Sequence, residues 1–360
     1  MTATGADLRR GPFAEGERVQ LTDAKGRMHT ITLAPGKQFH THRGYLLHDD
    51  LIGAPDGTTV TNTAGFEYLA LRPLLADYVM SMPRGAAVVY PKDAGQIVTM
   101  ADIFPGAVVV EAGVGSGALS MSLLRAVGES GRVHSFERRE DFADIAKANA
   151  RAYFGEDHPA WTVTVGDLVE ALPVTVEPGT VDRVVLDMLA PWECLDVVAE
   201  ALAPGGVLIC YVATATQLSK VAEAMRDAGR WTEPNAWESL VRGWHLEGLA
   251  VRPQHRMHGH TGFLITTRLL APGVTPPRRT RRPGKGYEAT ETGETAEVSR
   301  ADGAPTTTPS GRHTDDSTAT PPSPEPGFAG VPDDEWTAEA IGERVPSDKR
   351  VRKVRRGLTG

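Results

Sequence analysis

The stretch AVVVEAGVGSGALSMSLLRAVG, Ala107 to Gly128, decides the fold class. Val108, Val109 and Val110 are three β-branched residues in a row, as expected of a parallel strand covered on both faces. Gly113, Gly115 and Gly117 follow and supply a tight bend. Leu119, Leu123, Leu124 and Val127 then recur at helical spacing, so a helix begins where the glycines end. Its free first-turn amides face whatever ligand enters over the turn, and a ligand with a nucleotide-like part suits that corner.

Reading outward, strand and helix signals alternate: RVHSFER, EDFADIAKANARAYF, WTVTVGD, VDRVVLDML, GGVLICYVA, a helix from Gln217 to Asp227, and a last strand GFLITTRLL. The alternation predicts an α/β fold with a doubly wound, mostly parallel sheet over residues 83–272. Upstream, RVQLTD, MHTITL and TTVTNT are separated by AKG, APGK and APDG. Turn residues at that spacing predict a small antiparallel β-barrel or sheet domain over residues 1–65. Phe66 to Met82, FEYLALRPLLADYVMSM, has near-helical apolar spacing broken by Pro73 and reads as a connecting segment over 66–82.

From Gly273 onward the composition changes: eleven of the 26 prolines fall in 273–360, amid Thr, Ser, Gly, Asp and Glu, which predicts a disordered tail. The tail balances 14 Lys+Arg against 14 Asp+Glu, so the net charge of −8 belongs to the body, 24 against 32. An acidic body does not advertise nucleic-acid binding; RRTRRPGK and KRVRKVRR in the tail are the basic clusters that would contact phosphates. No apolar run reaches the length of a membrane span, and no secretory signal stands at the start. Cys194 and Cys210 lie in apolar stretches without zinc-ligand spacing, which suggests a reduced, cytoplasmic compartment and no metal. Trp161, Trp231, Trp237 and Trp244 are expected to pack rather than to stack on bases.

Four carboxylates carry the chemistry. Gly113, Gly115 and Ala118 satisfy the dinucleotide pattern, and Glu137 lies 20 residues after Gly117, so a nicotinamide enzyme is a live alternative. Three features favour S-adenosylmethionine: Glu111 opens a Glu-x-Gly-x-Gly-x-Gly pattern, Asp167 ends the third strand where it can accept the adenine amino group, and Asp187 ends the fourth beside the methyl acceptor. Ligands bind outside the carboxyl ends of such strands, so all four are expected to line one crevice. Taken singly, each acidic strand end is as readily a helix cap or a loop former.

YPKDAGQIV, EAGVGSGALS, SFERR, DMLAPWE, GGVLICYVATATQL and VRPQHRMHGHTGFL together resemble the tRNA (adenine-58-N1)-methyltransferases of the bacterial and archaeal single-subunit type, the actinobacterial ones especially. The likeness runs from about residue 12 to 272. It implies an N-terminal β-barrel, a class I (Rossmann-like) S-adenosylmethionine-dependent methyltransferase domain, a homotetramer, and N1-methyladenine formation in the T-loop of tRNA. By motif, it places Ser116, Gly117, Ala118 and Leu119 against the methionine part of the cofactor, with Glu137 on its ribose and Asp167 on its adenine. Glu111, Gly113, Gly115, Leu168 and Asp187 complete the expected cofactor set. Phe142 takes a cofactor-lining position or faces the core as a helix residue, and Gln96 either caps the methionine carboxylate region or bonds to backbone as a loop glutamine.

The chemistry agrees with these residues. N1 of neutral adenine attacks a sulfonium methyl in line and the ring becomes cationic, so a carboxylate at Asp187 accepting from N6 stabilises the transition state more than the ground state. The target base must be flipped into a pocket, and Tyr90 and Tyr211 are the candidates for gripping it or are ordinary half-buried tyrosines. RPQHRMHGH, Arg252 to His260, packs three histidines and two arginines; His255, Arg256 and His260 are expected to touch tRNA phosphates or close over the adenine, or else to form a structural loop at a subunit contact. The other readings are a non-catalytic tRNA-binding subunit, which would be expected to lack these glycines and aspartates, and a methyltransferase acting on a protein or small molecule.

Overall fold

The computed structural model describes residues 9–277. The tail expected from Gly273 falls outside the described residues from 278 onward, and so do both arginine clusters.

The N-terminal region begins with β1 (Arg18–Asp23), β2 (Met28–Thr32), β3 (Gln38–Thr41), β4 (Gly44–Leu47), β5 (Thr58–Thr61) and β6 (Glu67–Leu71). Four of these form an antiparallel sheet in the order β2-β1-β6-β5, and β3 and β4 pair separately as a hairpin. The strands enclose one core of Phe13, Val19, Leu21, Leu33, Leu46, Leu51 and Tyr68. This is the small antiparallel domain expected from the turn spacing, built as a four-stranded sheet and a hairpin around that core. The connecting segment also divides: Glu67–Leu71 pairs with β1 and β5, and only Leu75–Ser81, after Pro73, is helical as α1. Tyr68 and Ala70 are buried while Glu67, Leu69 and Leu71 are exposed, a period of two that outweighs the helical spacing read over the longer window.

The second region runs α2 (Pro91–Met100), β7 (Val108–Ala112), α3 (Ala118–Val127), β8 (Arg132–Glu137), α4 (Glu140–Phe154), β9 (Trp161–Val165), α5 (Leu168–Thr175), β10 (Val181–Asp187), α6 (Leu195–Ala201), β11 (Leu202–Val212), α7 (Ala215–Asp227), β12 (Asn235–Trp237), a hairpin of β13 (Trp244–Glu247) and β14 (Ala250–Pro253), and β15 (Phe263–Arg268). The seven-stranded sheet has the order β12-β15-β11-β10-β7-β8-β9, parallel from β11 to β9, with β15 antiparallel to both β11 and β12. Neighbours of β7 lead away in opposite directions, so the strand order reverses there and opens a crevice at the carboxyl ends of β7 and β10.

Both faces of the sheet are covered, which is why its strands are continuous apolar runs. Val110, Val184 and Leu186 face a core completed by α5, α6 and α7; Val109 and Val185 face the opposite core with Leu119, Leu123, Leu124 and Val127 of α3. Truncating a fully buried leucine such as Leu123 to alanine leaves a cavity and costs about 2–5 kcal/mol. That packing holds the glycine turn rigidly at the end of β7. Among the described residues no helix is long and apolar enough to cross a membrane.

Candidate active site

The glycine turn is shaped by contact as much as by backbone freedom. Gly113 has φ +86°, and a Cβ there would stand 1.8 Å from the carbonyl oxygen of Asp187. Only glycine lets the turn after β7 close against the end of β10. Gly117, at φ +80°, begins α3. Gly115 donates its amide to Glu137 Oε2 at 3.0 Å. Its own Cβ position meets Ala86 and Ala87 only at ordinary contact distance, so Gly113 is the sterically demanding position of the two. Ser116 Oγ accepts from the amides of Gly85 (3.2 Å) and Ala86 (3.4 Å), which lays residues 85–89 across the turn. The crevice between is lined by Ala87–Val89, Gly113–Ser116, Ala118, Leu119 and Asp187.

Of the four expected carboxylates Asp187 alone lines that crevice; Glu111 and Glu137 lie buried behind it, close enough for the three charges to act on one another. Glu111 is wholly buried; its Oε2 accepts from Ser120 Oγ at 2.7 Å and Ser135 Oγ at 2.6 Å, and its Oε1 has no partner among the described residues. Burial pushes its carboxyl up to about 7, against the pull of the two serine hydroxyls. Asp187 is half-buried at the end of β10, and desolvation, reinforced by the charge of Glu137, raises it to about 7 as well. Glu137 is buried and also accepts from the Arg139 amide at 3.1 Å. Among the described residues no cationic side chain pairs with Glu111 or Asp187. Asp167 stands apart in its bonding: it caps α5 by accepting from the Val169 amide at 2.8 Å and pairs with Arg138.

A second polar group, not anticipated from the sequence, lies behind Tyr90. Asp93, wholly buried in the first turn of α2, accepts from Lys92 Nζ (2.7 Å) and Ser239 Oγ (2.7 Å) on one oxygen and from Thr261 Oγ1 (2.6 Å) on the other. Lys92 Nζ also donates to the Ser239 carbonyl and to Thr261 Oγ1, both at 2.7 Å. Tyr211 OH donates to the Thr261 carbonyl at 2.7 Å, and its ring sits so close to Gly262 that a Cβ there would be 2.4 Å away. Burial drives the Tyr211 hydroxyl well above the usual phenol range. Tyr211 is thus a packed anchor of the 254–262 loop, whereas Tyr90, half-buried at the start of α2, keeps a ring face against His258 at 4.9 Å between centroids.

The histidine-rich loop is divided by its contacts. His260 has Nδ1 3.0 Å from Glu238 Oε2 and Nε2 3.0 Å from the Ala213 carbonyl oxygen, both acceptors. The Ala213 carbonyl first, then Glu238, raises its pKa and favours the imidazolium. His255 and Arg256 are exposed. Among the described residues no cluster of His, Cys, Asp and Glu could hold a metal ion. Gln96 lies within α2 rather than in a loop, Leu168 belongs to the core, and half-buried Phe142 carries the Arg139 guanidinium 3.7 Å over its ring. A groove of about 460 Å³ between α1, α2 and α3 is lined by none of these carboxylates. Trp231 is buried as expected, but Trp244 is 54% exposed.

These residues fit S-adenosylmethionine. An orphaned buried oxygen on Glu111 and an acidic crevice without a paired lysine or arginine at Glu111 or Asp187 suit a ligand that brings both a sulfonium and an ammonium charge. The glycine turn gives that ligand close backbone approach.

Residues 11–60 match the TrmI-like N-terminal family, and residues 65–248 match the family described as tRNA methyltransferase complex GCD14 subunit. The chain is 36% identical over 248 residues to the tRNA (adenine(58)-N(1))-methyltransferase TrmI of Thermus thermophilus, covering 69% of this chain and 95% of that one. It is 29% identical over 273 residues to the tRNA (adenine(57)-N(1)/adenine(58)-N(1))-methyltransferase TrmI of Methanocaldococcus jannaschii, covering 69% and 94%. Among solved structures, the tRNA (m1A58) methyltransferase TrmI of Aquifex aeolicus superposes with a TM-score of 0.63 at 26% identity, over 72% of this chain and 100% of that one. A Thermotoga maritima protein described as a SAM-dependent O-methyltransferase gives 0.67 at 31% identity, over 75% and 96%. The fold, the glycine turn with its strand-end carboxylates and these matches across both domains agree, and the chain belongs to the TrmI-type family of S-adenosylmethionine-dependent tRNA (adenine-58-N1)-methyltransferases.

Proposed function

We propose that this chain methylates N1 of adenine 58 in the T-loop of tRNA by direct in-line transfer, with Asp187 opposing the charge that develops on the base. The observation that carries the reading is Asp187, whose backbone closes against Gly113 at the end of β10 beside the glycine turn and whose carboxylate is unpaired among the described residues. S-adenosylmethionine supplies the methyl group on a sulfonium. Asp187 accepts a hydrogen bond from N6, orients N1 and stabilises the adenine cation, which is where a preorganised carboxylate lowers the barrier. Glu137 holds ribose hydroxyls while keeping the Gly115 amide, and Asp167 receives the cofactor's adenine. Tyr90 offers the ring for gripping a flipped base, and Tyr211 positions the loop above it.

The assembly we propose is a homotetramer in the cytoplasm. Its support is the β13–β14 hairpin, where Trp244 (54%), Leu246 (73%), Leu249 (105%) and Val251 (57%) are exposed together, an apolar cluster of the kind that subunit contacts cover. Sedimentation of the purified protein reads the assembly directly.

The function is tested by treating a tRNA transcript with purified protein and methyl-labelled cofactor and mapping the label by nuclease digestion. Label on N1 of adenine 58 is expected. Label on an oxygen atom, as the description of the Thermotoga maritima neighbour as an O-methyltransferase would suggest, or label on protein but not on tRNA, contradicts the reading.

A further inference from the structure

From Ala24 to His48 the chain has no aspartate or glutamate, yet it contains four lysines and arginines (Lys25, Arg27, Lys37, Arg43) and four of the eleven histidines. In a body that carries the whole net charge of −8, this run is a local reversal of sign. It folds as β2, the β3–β4 hairpin and their connections, apart from the methyl-transfer crevice.

The hairpin tip is fastened by hydrogen bonds, with His40 and Phe66 exposed and Tyr45 half-buried. Thr41 Oγ1 donates to the Gly44 carbonyl at 2.9 Å, and Gly44 turns at φ +93°. Asn62 Nδ2 donates to the Arg43 carbonyl at 2.7 Å, while the Tyr45 amide donates to Thr63 Oγ1 at 3.1 Å and the Thr63 amide to the Tyr45 carbonyl at 2.9 Å. The tip is therefore fastened to the turn before β6. On its outward face His40 stands directly opposite Tyr45, ring centroids 5.7 Å apart. The Arg43 guanidinium lies 5.2 Å from the ring centre of Phe66, which is 41% exposed. Lys37 and Arg43 are exposed, and among the described residues neither has a carboxylate partner.

We propose that the β3–β4 hairpin and the Phe66 turn form an RNA-contacting platform, Arg43 and Lys37 meeting phosphates and Tyr45 and Phe66 offering ring faces to unpaired bases. The inference rests on the proposed tRNA function and gives it a surface outside the crevice. Alternating cations and rings on a fastened tip is what single-stranded or loop RNA requires: charge that tracks the backbone and π faces that accept any base. An acidic protein partner would need the charges but would leave the rings without a role.

The experiment uses the full chain and a tRNA transcript, with binding measured across a range of salt. Arg43→Gln removes one phosphate contact, and its affinity should fall about 5- to 10-fold near 0.1 M salt while the slope of log Kd against log salt drops by about one. Phe66→Ala should weaken binding about 5-fold or more with the slope unchanged, since stacking is not ionic. Lys37→Gln, an exposed substitution outside the turn, repeats the slope test where Arg43→Gln disturbs the tip. For all three, KM for tRNA should rise while the rate at saturating tRNA and the cofactor affinity hold. Variants that bind with the parent's affinity and slope, in a parent that methylates tRNA, overturn this inference alone. A parent that neither binds nor methylates tRNA overturns it together with the proposed function.

Discussion

Asp93 and Glu111 are both wholly buried carboxylates of the same domain, yet the protein treats them in opposite ways. Asp93 is supplied with a lysine and two hydroxyls, each within 2.7 Å. Glu111 receives two serine hydroxyls on one oxygen and, among the described residues, nothing on the other and no cation; its neighbour Asp187 is likewise left without one. The first arrangement is complete and ties α2 to residues 239 and 261, far along the chain. The second stores an electrostatic cost of desolvated acid groups that a cationic ligand can relieve. Charge compensated by the protein marks a structural knot, whereas charge left to be compensated marks a site.

The largest effect that follows is on the knot. Lys92→Met leaves Asp93 buried with its two hydroxyl donors but without a cation, which should cost about 3–5 kcal/mol of stability, read as the denaturant midpoint at constant slope. An unchanged midpoint would erase the contrast. On the other side, Glu137→Gln removes a charge-assisted acceptor near the expected ribose and weakens cofactor binding by about 1.5–3 kcal/mol in a titration, with the chemical step less affected. Loss of stability with unaltered cofactor affinity would move Glu137 into the structural class.

The smallest expected effect is on pH. Asp187 and Glu111 are raised from below 5 to about 7, so between those limits the folded, cofactor-free protein holds protons that the unfolded chain has released. Raising the pH across that window therefore destabilises the cofactor-free fold, the reverse of a salt-bridged aspartate. A sulfonium opposite these groups favours their ionised forms, so cofactor binding releases protons and tightens as pH rises through about 7. The groups bearing on Asp187 are Glu111, Glu137 and the Tyr211 hydroxyl, so the profile reports the set. The ratio kcat/KM for the cofactor should climb on the acid side and level above about pH 7. A flat profile from about pH 5.5 to 8 would show that these carboxylates are already ionised without ligand.

How much of this was legible in the sequence differs between the two regions. Val108 to Val127 disclosed strand, turn and helix because each signal is local and repeated. Glu111, Glu137, Asp167 and Asp187 were readable because strand ends in a doubly wound sheet point to one edge. Asp167 shows the limit: its position at a strand end was clear, its bonds to Val169 and Arg138 were not. The Asp93 knot was invisible because its partners Ser239 and Thr261 lie 146 and 168 positions away. Lys-Asp after a proline at a helix start reads as ordinary first-turn charge. Strands β3 and β4 were missed because four residues each give no measurable period, and β6 was hidden by a longer stretch with helical spacing.

The central claim is that Asp187 is left uncompensated for the reaction and not for the fold. It is tested most directly by Asp187→Asn, with single-turnover methylation measured at saturating cofactor and tRNA and thermal stability read on the same sample. The amide still reaches N6 but carries no charge to oppose the adenine cation. The rate should therefore fall by about a hundred- to a thousand-fold, on the order of 3 to 4 kcal/mol, while stability holds or rises because a desolvated charge has been removed. A variant within about three-fold of the parent rate, or one that loses stability and cofactor binding together, would contradict the account.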